Sequence, residues 1–167
     1  MFREIRRRLP HSVSGKCHTL TEDEYHVLFT LYMYSQRYGF QCANLLWLAR
    51  NYQITEKKDY SPDLKKENIE HIYDVLLSLW DKKMVSPCIL PIKVRNDLTI
   101  LKPKTKRGFL KLKSLWKITL AGCDCVDPPD IVADCIKKGI EKEFKETGKI
   151  TVMKAFRECW KKYELGE

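Results

Sequence analysis

The chain has 167 residues, of which 44% are hydrophobic and 32% charged, and its formal net charge is +9. This length and composition favour a single domain with a real core and argue against global disorder. No apolar run approaches the roughly 20 residues that span a bilayer, so we expect no membrane partner. The first ten residues contain four arginines and lack the apolar run of a secretory signal. The sequence therefore predicts an intracellular protein.

The positive charge is concentrated in two segments. Counting Lys and Arg against Asp and Glu, residues 1–19 carry +4 and residues 86–117 carry +8, whereas residues 20–85 carry −2 and residues 118–167 carry −1. A concentrated positive field attracts polyanions, while a dispersed one mainly aids solubility. The distribution therefore indicates a nucleic-acid partner, with a solubilising charge run as the alternative.

Residues 1–19 form a basic arm ahead of the first predicted element. Such arms can lie along phosphates or enter a minor groove, and a frayed, solvated terminus is the alternative. The candidate DNA contacts in the arm are Arg6, Arg7 and Arg8.

The first predicted helix begins after Leu20. Thr21 is a suitable N-cap, Glu24 completes a capping box, and Gly39 ends the helix. Apolar residues at spacings of three and four predict a buried stripe. That stripe consists of Tyr25, Leu28, Phe29, Tyr32 and Met33.

Two further helices are predicted, a short one over residues 41–51 and a longer one over residues 63–83. Ser61 suits the cap of the longer helix, and Pro62 suits its first position. The two helices are predicted to form a helix-turn-helix, whose second member enters the major groove, although their connector is longer than usual. The buried stripe predicted for the longer helix consists of Ile69, Ile72, Tyr73, Leu76, Leu79 and Trp80.

The order of motifs resembles the winged-helix DNA-binding domain of the MarR and PadR regulator families. The segments that carry the resemblance are LTEDEYHVL (20–28), LLSLWDKKMV (76–85) and WKITLAG (116–122). Met84 stands where those families commonly have glycine. The resemblance implies a winged helix over residues 20–122 that binds duplex DNA.

In those families the base-reading residues lie near the start of the longer helix. Asn pairs bidentately with adenine, and Lys serves guanine or phosphate. Three carboxylates share the outward face, which also includes Ser78, and would repel phosphates, so a merely solvated face is the alternative. The candidate contacts of this helix are Lys65, Lys66, Asn68 and His71.

Residues 93–117, here called the wing, carry the densest positive charge. Pro103 and Gly108 mark a predicted hairpin tip, and the KLK alternation at residues 111–113 places lysine and leucine on opposite faces of a strand. Cations on such a tip suit phosphate contacts, which position a protein without specifying sequence. The candidate contacts of the wing are Lys102, Lys104, Lys106, Arg107, Lys111 and Lys113.

The C-terminal part is predicted to be a linker over residues 123–130 and two amphipathic helices broken between Thr147 and Gly148. Their apolar faces either fold back on the winged helix or pair with a second copy. By similarity to the regulators, we expect a homodimer. The apolar faces consist of Val132, Ile136, Ile140 and Phe144 in the first helix, and Val152, Phe156, Trp160 and Tyr163 in the second.

Seven irregularly spaced cysteines argue against a complete disulfide framework, so most are expected to be small buried hydrophobes. Cys123 and Cys125, joined by Cys17, His18 or Cys135, could nominally form a zinc shell, but no metal or cofactor is expected. Common nucleotide-binding and hydrolase motifs are missing, so we do not expect an enzyme.

The sequence thus predicts a mainly α-helical protein with a small antiparallel β wing. Its parts are a basic arm (1–19), a winged-helix domain (20–122) and a helical extension (123–167). The expected function is transcriptional regulation by binding double-stranded DNA, with helix 63–83 in the major groove and the wing on the backbone or minor groove. One alternative is a winged helix that contacts RNA or protein in a replication or translation assembly. Another is a metal- or redox-responsive sensor.

Overall fold

A computed structural model describes residues 15–45, 47, 48, 51, 66–89 and 114–166, with side chains given for all of these except residues 66–69 and 89. The predicted mainly helical α+β class with a small antiparallel sheet is confirmed. Among the described residues, no helix is both long and apolar enough to cross a bilayer. The elements in chain order are a 3-10 helix (Cys17–Thr19), α1 (Glu22–Tyr38), β1 (Ala43–Asn44), α2 (Lys66–Asp81), β2 (Val85–Ile89), β3 (Leu115–Ile118), α3 (Leu120–Val126), α4 (Asp130–Thr147) and α5 (Val152–Leu165).

Helix α1 has the predicted ends but a partly different buried face. The capping box is present, since the Thr21 hydroxyl accepts from the Glu24 N–H and the Glu24 carboxylate accepts from the Thr21 N–H. The prediction that Met33 is buried is wrong, because that side chain is half-exposed. Leu28 and Tyr32 are buried as predicted, whereas Tyr25 and Phe29 are half-buried. Val27 and Leu31 also face inward, because α2, α3 and the sheet all pack against this helix. The buried apolar residues of α1 are Val27, Leu28, Leu31 and Tyr32.

The sheet is antiparallel, with β3 between β1 and β2. Ala43 pairs with Trp116, so the predicted start of a helix at residue 41 is wrong: pairing with β3 satisfies the backbone of residues 43 and 44. The helical residues in this region are Leu45, Trp47, Leu48 and Asn51. Pro87 lies in β2, an edge strand, where a missing N–H does not interrupt the ladder.

Helix α2 packs on the sheet through aromatic side chains. Trp116 of β3 is fully buried, and the rings of Tyr73 and Trp80 each meet it edge-on at 6.1 Å. The Trp116 indole N–H donates to the Ser114 hydroxyl at 2.9 Å. Burial raises the pKa of Tyr73 to about 12, with a further contribution from Asp74. The buried stripe predicted for this helix is confirmed at Ile72, Tyr73, Leu76 and Leu79, whereas Trp80 is half-buried.

The C-terminal end of α2 is closed by a left-handed residue that is not glycine. The Met84 N–H donates to the Leu79 carbonyl and the Lys83 N–H to the Trp80 carbonyl, the pattern of a Schellman cap. Lys83 has φ of +63°. The position whose backbone favours glycine is therefore Lys83, one residue before the position expected from the resemblance.

Replacing Lys83 with glycine is expected to raise the free energy of unfolding by about 0.5–1 kcal/mol, because the left-handed penalty of a side chain exceeds the entropic cost of glycine. Urea denaturation at neutral pH measures the change. Lys83→Ala is the matched control, since it removes the charge but keeps the β-carbon. An equal gain from alanine would contradict the backbone explanation.

Helix α3 occupies part of the predicted linker. Its N-cap hydroxyl, on Thr119, accepts from the Gly122 N–H and donates to the Lys83 carbonyl. A β-carbon at Gly122 would clash with the Met84 carbonyl and lie 2.9 Å from the Ile118 side chain. The helix continues to Val126, so residues 123–126 are not a linker, because their side chains help to fill the core beneath α1.

The two C-terminal helices form an antiparallel hairpin that folds back on the rest of the chain. The predicted break is confirmed: α4 ends at Thr147, and Gly148 is left-handed at φ +70°. Phe156 and Trp160 of α5 are buried in the same core as α1 and α2. The Glu164 carboxylate accepts from the backbone N–H groups of residues 17 and 18, which ties α5 to the 3-10 helix.

Six of the seven cysteines form disulfides: Cys17–Cys125, Cys42–Cys88 and Cys135–Cys159. The expectation of mostly reduced, buried cysteines is therefore wrong. Sequence spacing could not reveal these pairs, because their members are 24 to 108 residues apart and meet only in the fold. The remaining cysteine, Cys123, is buried in α3.

Candidate nucleic-acid interface

Most of the predicted DNA contacts lie outside the described residues. These are Arg6, Arg7 and Arg8 of the arm, Lys65 before helix α2, and Lys102, Lys104, Lys106, Arg107, Lys111 and Lys113 of the wing. Lys66 and Asn68 lie in the first turn of α2, but their side chains are also outside the description. His71 is the predicted contact whose side chain can be examined.

His71 is engaged by a carboxylate from another helix. Its Nε2 lies 3.1 Å from an Asp23 carboxylate oxygen, and its side chain is 49% exposed. Asp23 belongs to the first turn of α1, where carboxylates complement the helix dipole. Contact of His71 with a base would therefore compete with this pair.

The described surface around His71 is acidic. Glu70 and Asp74 of α2 lie one and three positions from His71, and Asp74 is exposed. Glu22, in the same turn of α1 as Asp23, lies 3.6 Å from the His26 imidazole. Because like charge repels phosphates, this part of α2 cannot supply the electrostatic attraction for DNA. That attraction has to come from the arm, the start of α2 or the wing.

Strands β2 and β3 hold together the residues on either side of segment 90–113, which contains most of the wing. Ile89, the last residue of β2, pairs with Leu115, the first residue of β3. Neighbouring strands lie about 4.8 Å apart, so the residues on either side of segment 90–113 lie side by side at one end of the sheet. The Cys42–Cys88 disulfide joins the residue just before β1 to β2. Lys117, in β3, is the wing residue with a described charged side chain, and it is exposed.

A buried ion pair beside α2 was missed by sequence reasoning. The Glu24 carboxylate, buried in the core, accepts from Lys82 Nζ at 2.8 Å and from the Ser78 hydroxyl at 2.9 Å. Burial opposes ionisation of Glu24, but hydrogen bonds from Lys82, Thr21 and Ser78, with the charge of Lys82, outweigh it and lower its pKa. Ser78 is exposed, as the sequence predicted, and its hydroxyl nevertheless forms a bond to α1. The capping box was the one signal that Glu24 is held in a fixed position.

Four of the five nominal zinc ligands, Cys17, His18, Cys125 and Cys135, are committed to other contacts. Cys17 and Cys125 are joined to each other, and Cys135 is joined to Cys159. His18 instead contacts Glu164, with its Nδ1 2.9 Å from the carboxylate. Within the described parts of the chain, no group of three or more His, Cys, Asp or Glu side chains is arranged to hold a metal ion.

Known proteins provide no family assignment for this chain. Comparison with protein-family models, curated proteins and solved structures finds no match. The arrangement of the described elements and the distribution of charge along the sequence are therefore the basis of the functional proposal.

Proposed function

We propose that the chain is a winged-helix protein that binds double-stranded DNA and regulates transcription. The observation that carries this proposal is the antiparallel pairing of β2 with β3, which places Ile89 and Leu115, on either side of the strongly basic segment 90–113, next to each other in the sheet. The order helix, strand, helix, helix, strand, strand, with the last strand in the centre of the sheet, agrees with a winged helix. The +8 charge of residues 86–117 supplies the attraction for a polyanion.

In this proposal α2 enters the major groove and the wing contacts the backbone or minor groove. The packing of Tyr73 and Trp80 against Trp116 fixes α2 to the sheet from which the wing extends. A rigid connection allows both elements to contact one duplex at the same time. Because the described part of α2 is acidic, base contacts are assigned to its first turn, at Lys66 and Asn68, and to the preceding Lys65.

We also propose a homodimer through the C-terminal helices. The apolar surface that a second copy can contact is smaller than the sequence suggested. Phe156 and Trp160 are already buried within the monomer, so a second copy cannot use them. Ile131 and Tyr163 are exposed at the open end of the α4–α5 hairpin, opposite its connecting turn. Light scattering at micromolar concentration tests this, and a monomeric mass would contradict it.

The second candidate function is contact with RNA or with protein, and the acidic surface around His71 favours a basic protein partner, because carboxylates repel the phosphates of RNA as they repel those of DNA. Carboxylates at a helix face pair readily with Lys and Arg of a partner. Competition between random duplex DNA, duplex RNA and single-stranded RNA separates this candidate from DNA binding. Stronger binding to RNA would favour it.

The intracellular location expected from the sequence remains a prediction. The three disulfides weigh against a strongly reducing compartment, where such bonds are rare. Binding measurements should therefore use the oxidised protein.

Replacing Lys104, Lys106 and Arg107 together with alanine is expected to weaken duplex binding and flatten its salt dependence. Each lost phosphate contact lowers the slope of log affinity against log salt by about 0.9. Fluorescence anisotropy with a labelled duplex at several salt concentrations gives both quantities. Asn68→Ala is expected to change sequence preference instead.

The matched control replaces Lys137, Lys138 and Lys142 of α4 with alanine, which changes net charge by the same amount away from the wing. This control should leave most of the salt slope in place. Equal slopes for the wing variant and the unmodified protein would rule out the wing as a phosphate clamp. Equal losses of duplex affinity in both variants would show that net charge, rather than contacts of the wing, accounts for binding.

A further inference from the structure

The turn that joins α4 to α5 exposes three apolar side chains that are close together in the chain. Phe144 is 55% exposed, Ile150 is 56% exposed and Val152 is 44% exposed. From residue 141 to residue 152, every side chain but that of Glu143 is exposed. The turn therefore projects from the body of the protein, and residues 144–152 are here called the hairpin tip.

The projecting tip has a fixed shape. The Cys135–Cys159 disulfide joins the two helices, and a β-carbon at Gly139 would lie 3.2 Å from that of Ala155, so the helices are closely packed. Within the turn, the Thr147 hydroxyl accepts from the Lys149 N–H, and the Glu143 carboxylate accepts from the Thr151 N–H. The apolar side chains are therefore exposed to water in the folded structure. Exposed apolar patches of this kind mark surfaces that a partner covers.

Lysines surround the apolar residues. Residues 137–154 contain six lysines and three glutamates, and Lys142, Lys145, Lys149 and Lys154 are all exposed. One of the nearby glutamates, Glu143, is turned toward the chain by its bond to residue 151. The tip therefore combines a convex apolar surface with a positive rim.

We propose that the hairpin tip docks on the surface of an anionic lipid membrane, with its apolar side chains in the interfacial region and its lysines at the headgroups. A small ligand would need a concave site, which a projecting turn does not offer. Nucleic acid would satisfy the lysines but leave Phe144, Ile150 and Val152 in water. An anionic bilayer matches both features at once, because it takes up apolar side chains at its surface and attracts cations. This peripheral contact requires no membrane-spanning helix.

Co-sedimentation of the full-length oxidised protein with phosphatidylcholine vesicles, with and without phosphatidylserine, tests the proposal. The unmodified protein should bind the anionic vesicles. Phe144→Asp/Ile150→Asp should weaken this binding about tenfold or more, because two apolar contacts are lost. Lys145→Gln/Lys149→Gln should weaken it roughly fivefold for each lysine.

Met33→Asp is the matched control, since Met33 is 50% exposed but lies in α1, outside the hairpin tip. It should keep vesicle binding, and the tip variants should keep both their circular dichroism and their affinity for duplex DNA. Failure of the unmodified protein to bind, or equal binding by the aspartate tip variant, would overturn the proposal. The second result would assign vesicle binding to the wing alone. A dimer that becomes monomeric when the tip is changed would also overturn it, because the tip would then be a contact between copies.

Discussion

Replacing Cys17 and Cys125 together with alanine is expected to lower the free energy of unfolding by about 5 kcal/mol. Their disulfide closes the longest loop in the chain, with a sequence separation of 108, compared with 46 and 24 for the other two bonds. In the chain-entropy description the stabilisation grows with the logarithm of loop length, which gives about 4 and 3.5 kcal/mol for the shorter loops. Domains of this kind have total stabilities of about 5–15 kcal/mol, so loss of the longest bond should bring the protein close to unfolding.

Urea denaturation of the three double variants, monitored by circular dichroism, should reproduce this ranking. Cys123→Ala is the control, because it removes a cysteine and keeps all three disulfides. Alkylation of the unreduced, urea-unfolded protein should modify a single thiol by mass spectrometry. Modification of all seven cysteines, or identical unfolding with and without reductant, would show that the bonds do not form in solution.

The second large effect is expected at the Glu24–Lys82 ion pair. Lys82→Met leaves the Glu24 carboxylate buried without its cation and should cost on the order of 3 kcal/mol at pH 7. The methionine keeps the apolar stem that Lys82 packs against its surroundings, so the loss reports on the charge. It also removes the bond from Lys82 Nζ to the Thr19 carbonyl, which links α2 to the chain ahead of α1.

The pH dependence of this effect follows from the lowered pKa of Glu24. The folded protein holds the carboxylate in its ionised form below the ordinary value of 4.5, while the unfolded chain takes up a proton near that value. The stabilisation is therefore fully present above about pH 4.5 and is lost as the pH falls through the lower, folded-state pKa. Glu24→Gln should be destabilised at neutral pH and should approach the unmodified protein in acid.

Glu22→Gln is the matched control, since Glu22 lies in the same helical turn but is largely exposed. Its effect should stay below about 0.5 kcal/mol. The double variant Glu24→Gln/Lys82→Met should lose less unfolding free energy than the two single variants lose together. The reason is that a buried charge destabilises the fold mainly when its partner has been removed. Strict additivity would show that the two groups do not interact in solution.

Local patterns in the sequence predicted the described helices better than the surfaces they bury. Thr21 and Glu24 defined the start of α1, and Gly148 marked the break between α4 and α5, because capping depends on residues adjacent in the chain. The short strand β1 was not predicted, because two residues carry no periodic signal and pair only with a strand that follows much later. Met33 was assigned to the buried face of α1 by helical spacing, yet it is exposed, and Phe144, assigned to the apolar face of its helix, is exposed in the monomer. The spacing of apolar residues identifies an apolar stripe on a helix, but it does not show how much of that stripe a neighbouring element covers.

The candidate DNA contacts came from charge density and resemblance alone, and most of them lie outside the described residues. Only His71 can be compared with its prediction, and its pairing with Asp23 depends on the packing of α1 against α2. The same packing brings the hydroxyl of the exposed Ser78 within hydrogen-bond distance of Glu24. Contacts between distant helices cannot be read from residue spacing, since the sequence does not specify which faces meet.

By itself, the sequence determined the start of α1, the break between α4 and α5, where positive charge gathers, and that the class is mainly helical with a small sheet. These properties depend on neighbouring residues and on composition. The tertiary structure decided which cysteines are bonded, which carboxylate is buried with a lysine, and which apolar side chains stay in water at the hairpin tip. Those outcomes require residues far apart in the chain to be placed side by side. The free energy that places them comes from burial of the shared core as a whole rather than from any local segment.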